Sequence, residues 1–255
     1  MNILVCLKQT FDTEARIVLE DGRIKEDGVQ FVINPYDEYA VEEAIALKER
    51  FDGVVTVISI GPARVDEAVR TALAMGADEA VIVDDPAAFG DEFTASTVLA
   101  ATIKSRPYDL ILAGNQAVDD GSGQVALRTA ELLGIAHIGV VTKLSVEDGR
   151  VTAERDAEGD TEIVEAALPV MVTAQQGLNE PRYPSLIGIR KAAKKPVERL
   201  TLADLGLSAE TVAPRAQIVE TFLPPAKGSG RVLEGDTAAR VAELVSELRQ
   251  TSKVL

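Results

Sequence analysis

From Met1 to Gly134 the chain alternates short apolar runs with amphipathic stretches long enough to be helical crossovers. That alternation is the strongest constraint on its fold. Strands joined through a helix lie parallel, and the helices must then cover both faces of the sheet. The strand-like runs are "NILVCLK" (2–8), "GVVTVISIG" (53–61), "EAVIVDD" (79–85) and "YDLILAG" (108–114). Between and after them, helices are predicted over 34–51, 63–77, 92–105 and 122–134, two of them closed by Gly76 and Gly134. In the first, Asp37 is expected as the N-cap, and Ala40, Val41, Ala44, Ile45 and Leu47 form the apolar stripe. Asp21-Gly22 marks a small hairpin inserted before it. The fold class expected is α/β, a doubly wound parallel sheet.

The pattern changes after Gly134. Strand-like segments separated by Glu147-Asp148-Gly149 and Glu158-Gly159-Asp160 read as antiparallel hairpins added to the sheet or packed beside it. Two units are expected: a nucleotide-binding α/β domain over 1–200 and a C-terminal arm and helix over 201–255. Pro224-Pro225 and "KGSG" (227–230) mark the arm as extended or mobile, and "TAARVAELVSELRQ" is an amphipathic helix. An arm and helix with so little local core suit a chain that embraces a partner subunit, or one that folds back on its own domain.

The charge balance narrows the partners. A net charge of −15 argues against nucleic acid or an anionic membrane as the general partner. One cysteine, Cys6, and one histidine, His137, make neither a zinc cluster nor a disulfide. His137 lies in an apolar run and reads as a strand residue satisfied by hydrogen bonds rather than a member of a triad. No metal set and no catalytic set is expected. "MNILVCLK" reaches a lysine after a few apolar residues, which reads as neither signal nor membrane span, so the expected location is cytoplasmic.

In a doubly wound sheet, ligands bind where the strand order reverses, at the carboxyl ends of the strands. Four segments should meet there: Cys6 to Lys8; Asn34, Pro35, Tyr36 and Asp37; the turn after Ile60; and "GNQAVDDGSGQV" (114–125). In the last, Gly114, Gly121 and Gly123 let backbone approach a ligand, and Ser122 with the amides of Gly123, Gln124 and Val125 opens a helix, a natural anion site. The same glycines also suit a ligand-free turn. The loop is neither a Walker A sequence nor a G-x-G-x-x-G fingerprint. Asp119 and Asp120 are an adjacent acidic pair that reads as solvated or capping rather than metal-binding.

Within an acidic chain, "GLNEPRYPSLIGIRKAAKKP" (177–196) stands out. Arg190, Lys191, Lys194 and Lys195 follow Leu186, Ile187 and Ile189. By periodicity this is a solvated amphipathic helix; as a local basic and apolar peg it would dock something acidic.

These stretches carry a family likeness. "INPYDEYAVEEAIALKE", "VRTALAMGADEAV", "GNQAVDDGSGQV" and "LPVMVTAQQGLNEPRYPSLIGIRKAAKKP" resemble the β subunit of electron transfer flavoprotein (ETF), and the likeness runs from Met1 to about Leu255. The resemblance implies a sheet of the adenine nucleotide hydrolase-like type and a heterodimer with an α subunit. It implies a structural AMP in this chain and a redox-active FAD held mainly in α. Electrons would come from acyl-CoA dehydrogenases, as in fatty acid β-oxidation, and pass to an ETF-quinone oxidoreductase-type acceptor. The chain would then be a carrier subunit and not an enzyme.

On this resemblance the AMP contacts fall on Cys6, Asn34, Pro35, Tyr36, Asp37, Ile60, Gly114, Asn115, Gln116, Ala117, Val118, Asp119, Asp120, Gly121, Ser122, Gly123, Gln124 and Val125. Phe11 and Thr13 would approach the flavin, and Leu186 would be the anchor leucine of the dehydrogenase-docking segment. Two departures matter. Many members have three consecutive acids where this chain reads Asp119-Asp120-Gly121, and electron-bifurcating members carry Asp-Gly-Asp-Thr and bind a second FAD and NADH. AMP is the reading taken. A bifurcating β subunit and a stand-alone nucleotide-binding module are the alternatives.

Overall fold

The computed structural model describes residues 1–255. The first half contains β1 (Asn2–Cys6), β2 (Gln9–Phe11), β3 (Leu19–Glu20), β4 (Arg23–Ile24), β5 (Phe31–Ile33), α1 (Pro35–Phe51), β6 (Val54–Ile60), α2 (Val65–Met75), β7 (Glu79–Val83), α3 (Glu92–Lys104), β8 (Leu110–Gly114) and α4 (Val125–Leu133). The second half contains β9 (Ala136–Glu147), β10 (Arg150–Ala157), β11 (Asp160–Ala167), β12 (Val170–Ala174), α5 (Leu186–Ala192), β13 (Val197–Leu200) and α6 (Thr237–Gln250).

Nine strands form one sheet in the order β11-β10-β9-β12-β8-β1-β6-β7-β13. From β9 to β13 every neighbouring pair is parallel, and β10 and β11 continue the β9 edge as antiparallel hairpins. The expected α/β doubly wound sheet with added antiparallel strands is therefore what the chain builds. Side chains alternate across a strand, so each strand feeds two cores. Ile3 and Val5 pack with Val41 and Ile45 of α1 and Val69 and Leu73 of α2. Leu4, Cys6, Ile58 and Val81 pack on the opposite face with Leu99 and Ile103 of α3 and Ala126 and Ala130 of α4.

Two sequence expectations, at Asp37 and His137, need correction. Asp37 is not the N-cap of α1: Asn34 holds that position, Pro35 takes the first turn with its fixed φ, and Asp37 lies buried inside the turn. His137 is on strand β9, but it is exposed, with no side-chain hydrogen bond to satisfy. The packed body continues past residue 200. β13 adds an edge strand beside β7, and Leu202 and Val212 are buried against Val83, Ala88 and Val98. Asp91 accepts from the amides of Arg215 (2.6 Å) and Ala216 (2.8 Å), so the free arm starts only after that point. Beyond it the chain forms no helix or strand before α6, and α6 buries none of its residues.

Candidate functional site

The strand order reverses around β1: β6 and β7 follow on one side, whereas β8 and β12 lie on the other. At such a reversal the following connections diverge and leave a crevice at the carboxyl ends of the strands. Asp37 lies buried at this end of the sheet, where such a crevice is expected. One of its carboxylate oxygens accepts from the Lys8 amide just beyond β1 (2.7 Å), and the other from the Gly114 amide ending β8 (2.9 Å). Burial pushes the Asp37 carboxyl up to about 7, against the opposing pull of these hydrogen bonds. Gly114 must lack a side chain here, because a Cβ would lie 2.7 Å from Tyr36 Cβ and 2.8 Å from the Asp37 nitrogen.

Asn34 builds the wall beside it. Its amide nitrogen donates to Lys8 O (2.9 Å), and its side chain bridges the glycine-rich loop, donating to Gln116 O (2.9 Å) and accepting from Val118 N (3.1 Å). Asn115 is tied to β12, its amide donating to Ala174 O (2.9 Å) and its side-chain oxygen accepting from the Thr173 hydroxyl (3.2 Å). Gln116 donates to the Tyr36 hydroxyl (3.3 Å). The Ala117 carbonyl accepts from Gly121 N (2.8 Å) and closes a turn that carries Asp119 and Asp120 outward.

Those two acids are not free. Lys8 donates to Asp119 and to Asp120 at 2.7 Å each, and Asp120 accepts from Ser122 N (2.9 Å). Lys8 thus staples the loop to the end of β1, a role the sequence reading did not assign. Gly121 and Gly123 take φ of 65° and 60°, which turns the loop into α4. The amides of Gly123, Gln124 and Val125 find no acceptor within the chain. They form a compact set of donors at the positive end of a helix, beside the crevice. Cys6 is buried on the α3–α4 face, and burial, then the nearby Asp37 charge, pushes its thiol up to about 12. It contributes packing and not a nucleophile. Ile60 ends β6 at the same edge of the sheet, two residues beyond Ile58, the partner of Cys6. The geometry therefore brings Cys6, 34–37, Ile60 and 114–125 to one rim.

The β2–β5 ribbon rises from the same end. Phe11 packs on Phe31 with ring centroids 5.1 Å apart, and the Arg64 guanidinium lies 4.0 Å from the Phe31 centroid. Thr13 is exposed just beyond.

Segment 177–196 forms a separate feature. Ser185 caps α5 by accepting from Gly188 N (3.0 Å), and α5 leaves Leu186, Ile187 and Ile189 between 52% and 79% exposed. Tyr183, which precedes them, is 95% exposed. Arg190, Lys191 and Lys194 face solvent. Lys195 does not: its ammonium donates to the carbonyls of Leu73 (3.3 Å) and Ala77 at the end of α2. Of the four expected docking cations it is the one engaged internally. The residues missed altogether are those that hold the segment. Arg182 reaches Glu42 and Glu49 on α1, and the Asn179 side chain donates to Tyr39 O and Glu43, both at 3.0 Å. Their only sequence signal is an arginine and an asparagine in a Pro-interrupted stretch that forms no helix of its own.

A family model described as "Electron transfer flavoprotein domain" matches residues 21–205. The chain is 51% identical to "Electron transfer flavoprotein subunit beta" of Bacillus subtilis (strain 168), with both chains covered in full. It is 44% identical to the protein of the same description from Syntrophomonas wolfei, covering 100% of this chain and 98% of that one. It is also similar to "Caffeyl-CoA reductase-Etf complex subunit CarD" of Acetobacterium woodii, at 39% identity over 98% of each chain.

Proposed function

Because the chain belongs to the electron transfer flavoprotein β-subunit family, we propose that it holds a structural AMP and serves as the docking half of a heterodimeric electron carrier. The observation that carries the nucleotide reading is the set of free amides at Gly123, Gln124 and Val125, at the start of α4 beside the crevice latched by Asp37. A phosphate seated there would receive several N–H donors and the helix dipole together. The walls built by Asn34, Tyr36 and Gln116 would flank the rest of the nucleotide, with the Cys6 and Ile60 strand ends beneath the base.

The α subunit would supply most of the FAD cradle, with Phe11 and Thr13 approaching the flavin from this side. Exposed Ile218, Phe222 and Leu223 on the arm, and Val241 and Leu244 on α6, support an embrace of that subunit. Leu186 would be the anchor in an apolar pocket of an acyl-CoA dehydrogenase-type donor, with Ile187 and Ile189 around it. Arg190, Lys191 and Lys194 would speed encounter with an acidic rim. Electrons would leave through the α-subunit FAD toward an ETF-quinone oxidoreductase-type acceptor, in the cytoplasm. None of the chain's helices is long and apolar enough to cross a membrane.

The test is to denature purified heterodimer and identify the released nucleotides. One FAD and one AMP are expected, and one FAD without AMP overturns the nucleotide reading. Two FAD would instead favour the bifurcating reading, which is favoured by the 39% identity to a subunit named for a reductase–Etf complex. For docking, Leu186→Ala should weaken transfer from the dehydrogenase while the heterodimer stays intact.

A further inference from the structure

We propose that Arg182 is a positioning residue for docking: by clamping the 177–192 segment to α1, it presents Tyr183, Leu186, Ile187 and Ile189 as one fixed apolar face. This rests on the docking reading given above. The four apolar side chains do little to hold themselves in place, because each is more than half exposed. Residues 178–185, which lead into them, form no helix or strand. Something else must fix their direction, and the structure shows polar staples doing so.

The Arg182 side chain meets Glu42 through Nε (2.9 Å) and a terminal nitrogen (2.9 Å), and its own backbone amide donates to the same carboxylate (3.0 Å). The other terminal nitrogen reaches Glu49 at 2.6 Å. Glu42 is only 8% exposed, so this half of the clamp is shielded from competing water. Glu42 and Glu49 are seven residues apart, two turns along one face of α1. A planar guanidinium spans two carboxylates in this way, and a lysine ammonium does not. Arg182 is bonded directly to Tyr183 and lies four residues before Leu186, so a clamp on its backbone and side chain sets where the apolar face begins.

Further along, Gly188 lets α5 lie against the end of α2, where any Cβ would collide with the Ala74 carbonyl. The face is thus held at its entry by Arg182 and at its centre by Gly188. An interface that is already ordered does not have to order itself on binding, and losing that order weakens association without changing the chemistry that follows. The same α1 carries Asn34 and Asp37 at its start, so the docking face is keyed to the helix that builds the nucleotide crevice.

The test uses the assembled heterodimer and an acyl-CoA dehydrogenase reduced by its acyl-CoA substrate. Arg182→Ala is expected to raise the KM for the carrier on the order of tenfold, with kcat, nucleotide content and flavin reduction by dithionite as in the wild type. Arg182→Lys should recover only part of the loss, and amide exchange over residues 178–192 should quicken. A wild-type KM in Arg182→Ala, with a raised KM in Leu186→Ala, overturns the clamp and leaves the docking reading standing. A wild-type KM in Leu186→Ala overturns the docking reading, and the clamp's role with it. If Arg182→Ala does not assemble, Glu49→Ala removes only the exposed half of the clamp. A smaller rise in KM is then expected, and no rise overturns the proposal.

Discussion

Arg70 and Lys195 each close the helix that the other belongs to or follows. One nitrogen of the Arg70 guanidinium, on α2, donates to the carbonyls of Ala192 (2.7 Å) and Lys195 (2.8 Å) behind α5. The Lys195 ammonium donates back to Leu73 O (3.3 Å) and Ala77 O at the end of α2. The last carbonyls of a helix lack N–H partners and carry partial negative charge, so a cation there is stabilising in both directions. This exchange explains why the basic run after α5 is not wholly a solvent-facing patch.

Breaking the exchange should loosen segment 177–196 at its rear. Arg70→Met or Lys195→Met is expected to cost about 1–3 kcal/mol, because partly buried carbonyls lose charged donors. Together the two should cost less than their sum, since they share one junction. Chemical denaturation of the heterodimer at fixed protein concentration measures this, the fixed concentration being needed because assembly contributes to stability.

Gly114→Ala should selectively damage the crevice proposed to hold the nucleotide. The added methyl group would meet Tyr36 Cβ at 2.7 Å and the Asp37 nitrogen at 2.8 Å, and would press on the carboxylate oxygen that the Gly114 amide bonds. Loss of bound nucleotide from the purified variant, read by chromatography after denaturation, is the expected outcome. Full nucleotide content would show that the crevice is not the site.

Asp37 should make stability fall as pH rises from mildly acidic to neutral. Folding raises its pKa from 3.8 to about 7, chiefly by burial, so the folded state holds a proton that the unfolded state has released. The group's contribution is therefore greatest below about pH 3.8 and is lost as pH rises toward 7. Asp37→Asn should be less stable at all pH values, because its NH2 group faces a backbone donor, but it should lack this slope. Equal slopes in wild type and variant across that window would refute the assignment.

Asp91 works in the opposite sense. Burial tends to raise its pKa, but the amides of Thr94, Ala216 and Arg215 and the Thr94 hydroxyl outweigh it and hold the carboxyl at about 2. Its contribution is present above the ordinary 3.8 and is lost as pH falls toward 2. Asp91→Ala removes the N-cap of α3, worth about 0.5–2 kcal/mol, and also frees the junction at Arg215 and Ala216. Acid unfolding should begin at higher pH in the variant, and trypsin should cut after Arg215 sooner.

Much of the scaffold is legible in the order of residues alone. Strands β1, β6, β7 and β8 and helices α1 to α4 fall where apolar periodicity places them, because each needs only its own pattern to choose between 2.0 and 3.6 residues per repeat. The turns Asp21-Gly22, Asp148-Gly149 and Glu158-Gly159 are legible for an equally local reason. All six residues adopt positive φ, which glycine favours and aspartate tolerates, while Glu158 is held there by the turn. β13 is not legible: four residues with an apolar one only at each end become a strand because the edge of β7 is there to pair with.

What the sequence determined without help is the doubly wound frame and the exposed apolar peg. Tertiary structure alone decided what the polar residues do. Asp37 sits three residues into a helix and resembles a cap until β8 delivers the Gly114 amide from 77 positions away. Lys8 finds Asp119 across 111 positions, and Arg182 finds Glu42 across 140. Helix and strand patterns report interactions between near neighbours, whereas a hydrogen bond that bridges such distances leaves no periodic trace. It exists only once packing has brought the two ends of the chain together.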